Sequence, residues 1–200
     1  MELKRVVVTG LGSITPLGNN VEETWNAAIN GVSGAGPITH FDASEFKTQF
    51  ACEVKNFDPL NYFDNVKDAR KLDLFAQYAI AAVKEAMSDS GIDVEKINRE
   101  RAGVIYAAGI GGLGTFEQEV TNYALHPERG PRYSPFFIPK MIADIAAGQI
   151  SIPSFKADDE NFPIEEKLIL CSNMSGVNFS LIFSIINRRS FLQTKSSKSL

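Results

Sequence analysis

Hydrophobic and polar positions alternate between two periods along the first three quarters of the chain. The β-branched run Val6-Val7-Val8-Thr9, with Arg5 before it and Gly10 after it, predicts a buried strand that ends in a turn through Gly10–Gly18. Asn20, with Glu23 three residues on, is an Asn variant of the capping box. It predicts a helix whose apolar face is Trp25, Ala28 and Ile29 and which stops at Asn30-Gly31. Gly31 to Gly36 reads as a loop, Phe50 to Val54 as a short strand, and Asn56 to Phe63 as a loop held by aromatic anchors.

The strongest helical signal spans Asp68 to Ser90, where Leu72, Phe75, Ala76, Ala79, Val83, Ala86 and Met87 recur at steps of three and four, closed by Gly91. Alanines at 76, 79, 81, 82 and 86 make that face small enough for another backbone to approach closely. Ala102 to Ala108 predicts a second strong strand, leading into Gly109-Ile110-Gly111-Gly112-Leu113-Gly114 and a helix capped by Thr115 and Gln118. Pro127 to Arg132 is an ordered loop. Ser134-Pro135 places an N-cap and an N1 proline on a helix running toward Gly148. Strand, helix, strand, helix in this order predicts an α/β layered domain. At Pro153 the pattern stops, dividing the chain into residues 1–152 and a divergent tail, 153–200.

Composition narrows the function classes. With 200 residues, 44% of them hydrophobic, the chain can bury a sizeable core. A net charge of −4 gives no overall basic field for nucleic acid or anionic membrane. Two cysteines, Cys52 and Cys171, and two histidines, His40 and His126, provide neither a disulfide framework nor metal-ligand spacing, so no metal is expected. Cys52 is expected to be a small buried residue. No signal-peptide pattern opens the chain, and Val177 to Ile186 falls far short of the roughly 20 residues of a membrane span, so a cytoplasmic location is expected.

Two glycine loops invite a ligand reading. Gly10-Leu11-Gly12 after a strand begins a dinucleotide fingerprint, but Thr15 holds the third glycine position and no acidic residue follows at about 20 residues, which favours a ligand-free tight turn. Gly109 to Gly114 lacks the Lys and Ser/Thr of a P-loop, so its glycines are expected to allow close packing while Ile110 projects into an apolar space. Lys67, Arg70 and Lys71 fall at the start of the alanine-rich helix, where the helix dipole disfavours cations, and this hints at an acidic partner as readily as at a solvated face.

Several stretches carry a family resemblance. They are Arg5-Val6-Val7-Val8-Thr9-Gly10-Leu11-Gly12, Thr15-Pro16-Leu17-Gly18-Asn19, Gly31-Val32-Ser33-Gly34 and Ile38-Thr39-His40-Phe41-Asp42. Arg70-Lys71-Leu72-Asp73, Gln77-Tyr78-Ala79, Gly109-Ile110-Gly111-Gly112-Leu113, Ser134-Pro135-Phe136-Phe137-Ile138-Pro139 and Ala147-Gly148-Gln149-Ile150-Ser151-Ile152 follow in order. Together they resemble the N-terminal portion of the β-ketoacyl-[acyl-carrier-protein] synthase II family.

The resemblance implies the N-terminal half of a thiolase-like layered αβα fold, followed by an irregular tail foreign to the family. It also implies fatty-acid elongation by decarboxylative condensation without a cofactor, in a homodimeric enzyme. A cysteine thiolate takes the acyl group from carrier protein, and two histidines assist the loss of CO2 from malonyl carrier protein. The family's basic docking residues for the acidic acyl carrier protein correspond to Lys67, Arg70 and Lys71. Ile110 and Phe137 match positions lining the acyl pocket near the dimer interface.

The departure comes where the family places its Thr-Ala-Cys nucleophile turn. Here Glu165-Glu166-Lys167 precedes Leu168-Ile169-Leu170-Cys171, so Cys171 is a weak candidate nucleophile, without the Thr-Ala lead-in and displaced by several residues. His40 and His126 match neither family histidine, and the family's histidines lie beyond this chain. Three readings stand: a catalytically incomplete member of the family, a non-catalytic carrier-binding protein, and a nucleotide-binding oxidoreductase built on Gly10-x-Gly12. The residues from Val177 onward, basic and serine-rich near the end, are expected to fray, and apolar surface is expected to be exposed along the last strand.

Overall fold

The computed structural model describes residues 6–94, 96–97, 102–154, 168–172 and 180–187; for Val6, 152–154 and the last two segments it describes the backbone. Strand β1, Val6–Ile14, forms one edge of a four-stranded sheet ordered β1-β6-β5-β4, in which β4 is Ala102–Tyr106, β5 Leu168–Ser172 and β6 Ser180–Asn187. β6 runs antiparallel to both β1 and β5, while β4 and β5 are parallel. The described part of the expected irregular tail is thus a pair of strands inside the sheet. Of the residues from Val177 onward, where fraying is expected, 180–187 are instead the paired strand β6, and 177–179 and 188–200 lie outside the described residues.

The turn expected at Gly10 is instead strand. β1 continues to Ile14 with a register irregularity between Val8 and Gly10, and the chain reverses later, at Thr15–Gly18. The reason lies in helix α3, Leu74–Ser90, which packs on β1. A Cβ on Gly12 would overlap the Ala82 carbonyl oxygen, and one on Gly10 would overlap that of Ala86 and stand 2.7 Å from the Ser90 nitrogen. Ala76, Ala79, Ala82 and Ala86 are fully buried. The two glycines and this alanine stripe are two halves of one close contact between helix and strand. That contact fills the space beside Gly10-x-Gly12, so the glycines serve packing rather than a dinucleotide.

α3 is shorter than its periodicity predicts. A separate short helix α2, Val66–Arg70, precedes it, and Asp73 caps α3 through a bond from the Phe75 amide at 3.5 Å. Gly91 ends α3 in the left-handed conformation, φ 61°. α3 carries two carboxylates to β1: Asp89 Oδ2 accepts from the Leu11 amide and Glu85 Oε2 from the Ser13 amide, each at 2.9 Å. The other oxygen of Glu85 accepts from the Val21 amide at 2.8 Å, tying in α1, Val21–Ile29.

α1 is capped as predicted, with Asn20 Oδ1 accepting from the Glu23 amide, although Glu23 reaches back to the Asn19 amide rather than to that of Asn20. Its predicted apolar face is not buried: Trp25 is 65% and Ile29 61% exposed, and Ala28 is exposed too. Residues Val21, Thr24 and Ala27 are the partly buried ones instead, because Thr24 bonds the hydroxyls of Ser13 and Thr15 at the end of β1. Phe41, Phe46 and Phe50 are also more than half exposed, while the side chains of the last strand, where exposed apolar surface is expected, lie outside the described residues.

The short strand at Phe50 narrows to Phe50–Ala51 and pairs with Gly36–Pro37, part of which was expected as loop. The aromatic anchors hold, with Phe57 stacked on Tyr62 at 5.4 Å and edge-on to Tyr78 at 4.8 Å. Burial, with the charges of Asp73 and Glu53 adding to it, pushes the Tyr78 phenol above its ordinary value of about 10. The unfolded chain therefore ionises first. The contribution of Tyr78 is fully present below pH 10 and is lost as pH rises through its folded value. Urea midpoints measured across this range should fall above pH 10, and Tyr78→Phe should make that fall shallower.

Candidate functional site

Lys67, Arg70 and Lys71 belong to a different helix from the one the periodicity predicts. These residues lie on and just after α2, with Arg70 and Lys71 at its C-terminal end, where a helix dipole favours cations. The electrostatic conflict expected from a single long helix is therefore absent. All three are exposed. Lys71 is paired with Asp68 at 2.7 Å, and the hydrogen bonds from Lys71 and Asn65 hold the Asp68 carboxyl below its ordinary range. Among the described residues no ion pair involves Lys67 or Arg70. α2 is fixed from beneath: the buried Gln77 side chain donates from Nε2 to the carbonyls of Ala69 and Leu72, both at 3.0 Å.

Ile110 stands in the glycine loop before α4, Leu113–Leu125, and lines an open apolar cleft of about 540 Å3 with Leu113, Phe116, Met141, Ile142, Ala143 and Asp144. The glycines work as expected from their packing role. A Cβ on Gly111, whose φ is 86°, would overlap the Met141 carbonyl, one on Gly112 that of Lys140, and the Gly112 amide bonds Met141 at 3.0 Å. Phe137 begins α5, Phe137–Met141, behind the cleft wall: its ring lies 6.1 Å from Phe116 and 5.4 Å from Tyr133, which continues to Tyr123 at 5.8 Å.

Two cap predictions fail here. α4 starts at Leu113, two residues ahead of Thr115, whose hydroxyl donates to Asp73 at 2.5 Å instead of capping its own helix. The helix predicted from Ser134 begins at Phe137 and breaks at Ile142–Asp144 before α6, Ile145–Ser154; Ser134 Oγ accepts from the Phe136 amide in the preceding turn. Leu113 and Phe116 were not singled out from the sequence, although their spacing of three residues on α4 is a signal that finds them. Met141 to Asp144 were hidden because the break between α5 and α6 carries no glycine.

Cys171 occupies the middle of β5, between Ile105 of β4 and Phe183 of β6 in register. Cys52, expected to be buried, is exposed, since the strand around it shrinks to two residues and ends before it. His40 approaches Glu53 at 4.0 Å, and His126 approaches Glu128 at 3.4 Å. Hydrogen bonds from the Thr39 hydroxyl and amide hold the Glu53 carboxyl below its ordinary range. Among the described residues no cluster of three His, Cys, Asp or Glu side chains could hold a metal, and no helix is long and apolar enough to cross a membrane.

The family model "Beta-ketoacyl synthase, N-terminal domain" matches residues 3–157. The 3-oxoacyl-[acyl-carrier-protein] synthase 2 of Coxiella burnetii is 47% identical over 153 residues, 76% of this chain and 36% of that protein. The enzymes of the same name from Vibrio harveyi and Staphylococcus aureus are 48% and 43% identical over 153 and 149 residues. The chain thus spans about a third of the length of these relatives.

In fold, it is similar to a type II polyketide ketosynthase solved in complex with its acyl-carrier protein, with TM-score 0.70, 23% identity, 96% of this chain and 66% of that one. The ishigamide ketosynthase/chain length factor gives TM-score 0.75 at 18% identity, covering 96% of this chain and 60% of that one. With its glycine-to-alanine contact between strand and helix, its layered fold and its matched N-terminal sequence, this chain belongs to the beta-ketoacyl synthase family.

Proposed function

We propose that the chain is the carrier-docking and acyl-holding part of a fatty-acid condensing enzyme, working in the cytoplasm, and that it does not perform the condensation by itself. Residues 1–152 supply this unit and 153–200 diverge from it. The observation that carries the reading is the juxtaposition of the exposed cations of α2 with an apolar cleft across a single hydrogen-bonded junction, Asp73 to Thr115. An acidic carrier protein docked on Lys67 and Arg70 would bring a thioester-linked acyl chain toward Ile110, Leu113 and Phe116. The backbone of Cys171 lies mid-strand rather than at a helix N-terminus, where the family resemblance puts the nucleophile.

Titrating the chain with phosphopantetheinylated acyl carrier protein tests the docking. Binding should weaken as salt rises, and the combined charge reversals Lys67→Glu, Arg70→Glu and Lys71→Glu should weaken it by tenfold or more. Unchanged affinity in that variant would refute the docking assignment. A product from octanoyl and malonyl carrier proteins mixed with the chain alone would refute the non-catalytic assignment.

A further inference from the structure

The cationic helix and the apolar cleft belong to different parts of the chain, and a short chain of polar contacts joins them. Two residues after Lys71, Asp73 presents one carboxylate oxygen to the Phe75 amide and the other to the Thr115 hydroxyl, 2.5 Å away in the first turn of α4. Gly112 has no side chain here; a Cβ would stand 3.0 Å from Asp73 Oδ2 and overlap the Lys140 carbonyl, so the glycine admits the carboxylate to the loop that forms the cleft. One turn along α3, Gln77 bonds the carbonyl of Ala69 in α2 and that of Leu72 in the link between the two helices. The α2 segment is thereby held to α3, α3 to α4, and the loop before α4 to Met141 on the far wall of the cleft through the Gly112 amide.

We propose that Asp73 and Thr115 are positioning residues that set the distance and angle between the carrier-docking helix and the acyl cleft, so that a docked carrier delivers its acyl chain into the cleft. This rests on α2 being the docking element. Without the Asp73–Thr115 bond, the cations still attract the carrier and the cleft still exists, but the two are no longer in register. The acyl chain then stops adding to carrier affinity. A hydrogen bond to a charged group through which two contacts act together is expected to appear as coupling rather than as a loss of either contact alone.

The experiment compares affinity for phosphopantetheinyl carrier protein with and without an octanoyl thioester, by titration calorimetry at a temperature where every variant is folded. In the natural chain the octanoyl group should tighten binding about tenfold. Thr115→Val, which keeps shape and leaves the Asp73 cap in place, should bind the unacylated carrier within twofold of the natural chain and lose the octanoyl gain; Thr115→Ser, which restores the hydroxyl, should recover it. Asp73→Asn keeps an acceptor oxygen and should retain most of the gain. A Thr115→Val chain with the full octanoyl gain overturns the coupling and leaves the docking assignment standing. A natural chain with no octanoyl gain overturns it as well. Insensitivity of unacylated binding to the α2 charge reversals overturns the docking reading separately.

Discussion

Gly12→Val should abolish the soluble, cooperatively folded chain. The Cβ position of Gly12 is already occupied by the Ala82 carbonyl and lies 2.8 Å from the Ala86 nitrogen, and both are backbone atoms that no rotamer change can move. α3 would have to lift from β1, which opens the most tightly buried part of the core, where Ala79, Ala82 and Ala86 are fully inaccessible. Overpacking against movable side chains costs about 1–3 kcal/mol, and a shift of helix backbone belongs at or beyond the top of that range. A domain has about 5–15 kcal/mol in all. Far-UV circular dichroism and soluble yield report the outcome. Gly114→Ala is the control: nothing lies within 4 Å of its Cβ position, it is inside α4, and it should be neutral or stabilising by up to about 1 kcal/mol. A Gly12→Val chain with a natural urea midpoint would mean that α3 does not rest on β1 as described.

Glu85→Ala should be the next most damaging change, at about 3 kcal/mol. Its carboxylate accepts from the Ser13 and Val21 amides, and both bonds are partly buried. Bonds to a charged acceptor are worth about 1.5–3 kcal/mol each, and removing the acceptor leaves two amides without a partner where water reaches them incompletely. Because one carboxylate joins β1 to α1, hydrogen exchange should speed up at Ser13 and Val21 together. Glu85→Gln, which keeps one acceptor oxygen, should recover part of the loss. Equal urea midpoints for the alanine variant and the natural chain would remove this junction from the list of what holds α1 in place.

The sequence announced the layered architecture and one residue of the cleft, Ile110, but not how the parts meet. Alternation and β-branching identify β1 and β4, and the three-and-four spacing identifies α3. Glycine, however, reads the same whether it turns the chain or makes room for a neighbour, so Gly10 and Gly12 looked like a turn while β1 runs straight through them. The periodicity from Asp68 likewise continues across Lys71–Asp73, because Leu72 is buried in register with α3 although it lies outside the helix. Only the capping role of Asp73 reveals the break. Trp25 misled for the opposite reason: an apolar stripe shows which side of a helix is greasy, not whether anything covers it. Thr115, three residues before Gln118, looked like a cap, yet its partner lies 42 residues away, beyond any local pattern.

The carboxylates of Asp89 and Glu85 also determine how copies of this molecule could grow together. β1 is one edge of the sheet, and its Leu11 and Ser13 amides already donate to those side chains, so at these two positions an incoming strand finds no vacant donor. β4, at the other edge, pairs only with β5 among the described residues. A sheet with two open edges can add strands without limit, as fibres do. With Leu11 and Ser13 engaged, growth at the β1 edge would first have to displace both carboxylates, so main-chain pairing is disfavoured there.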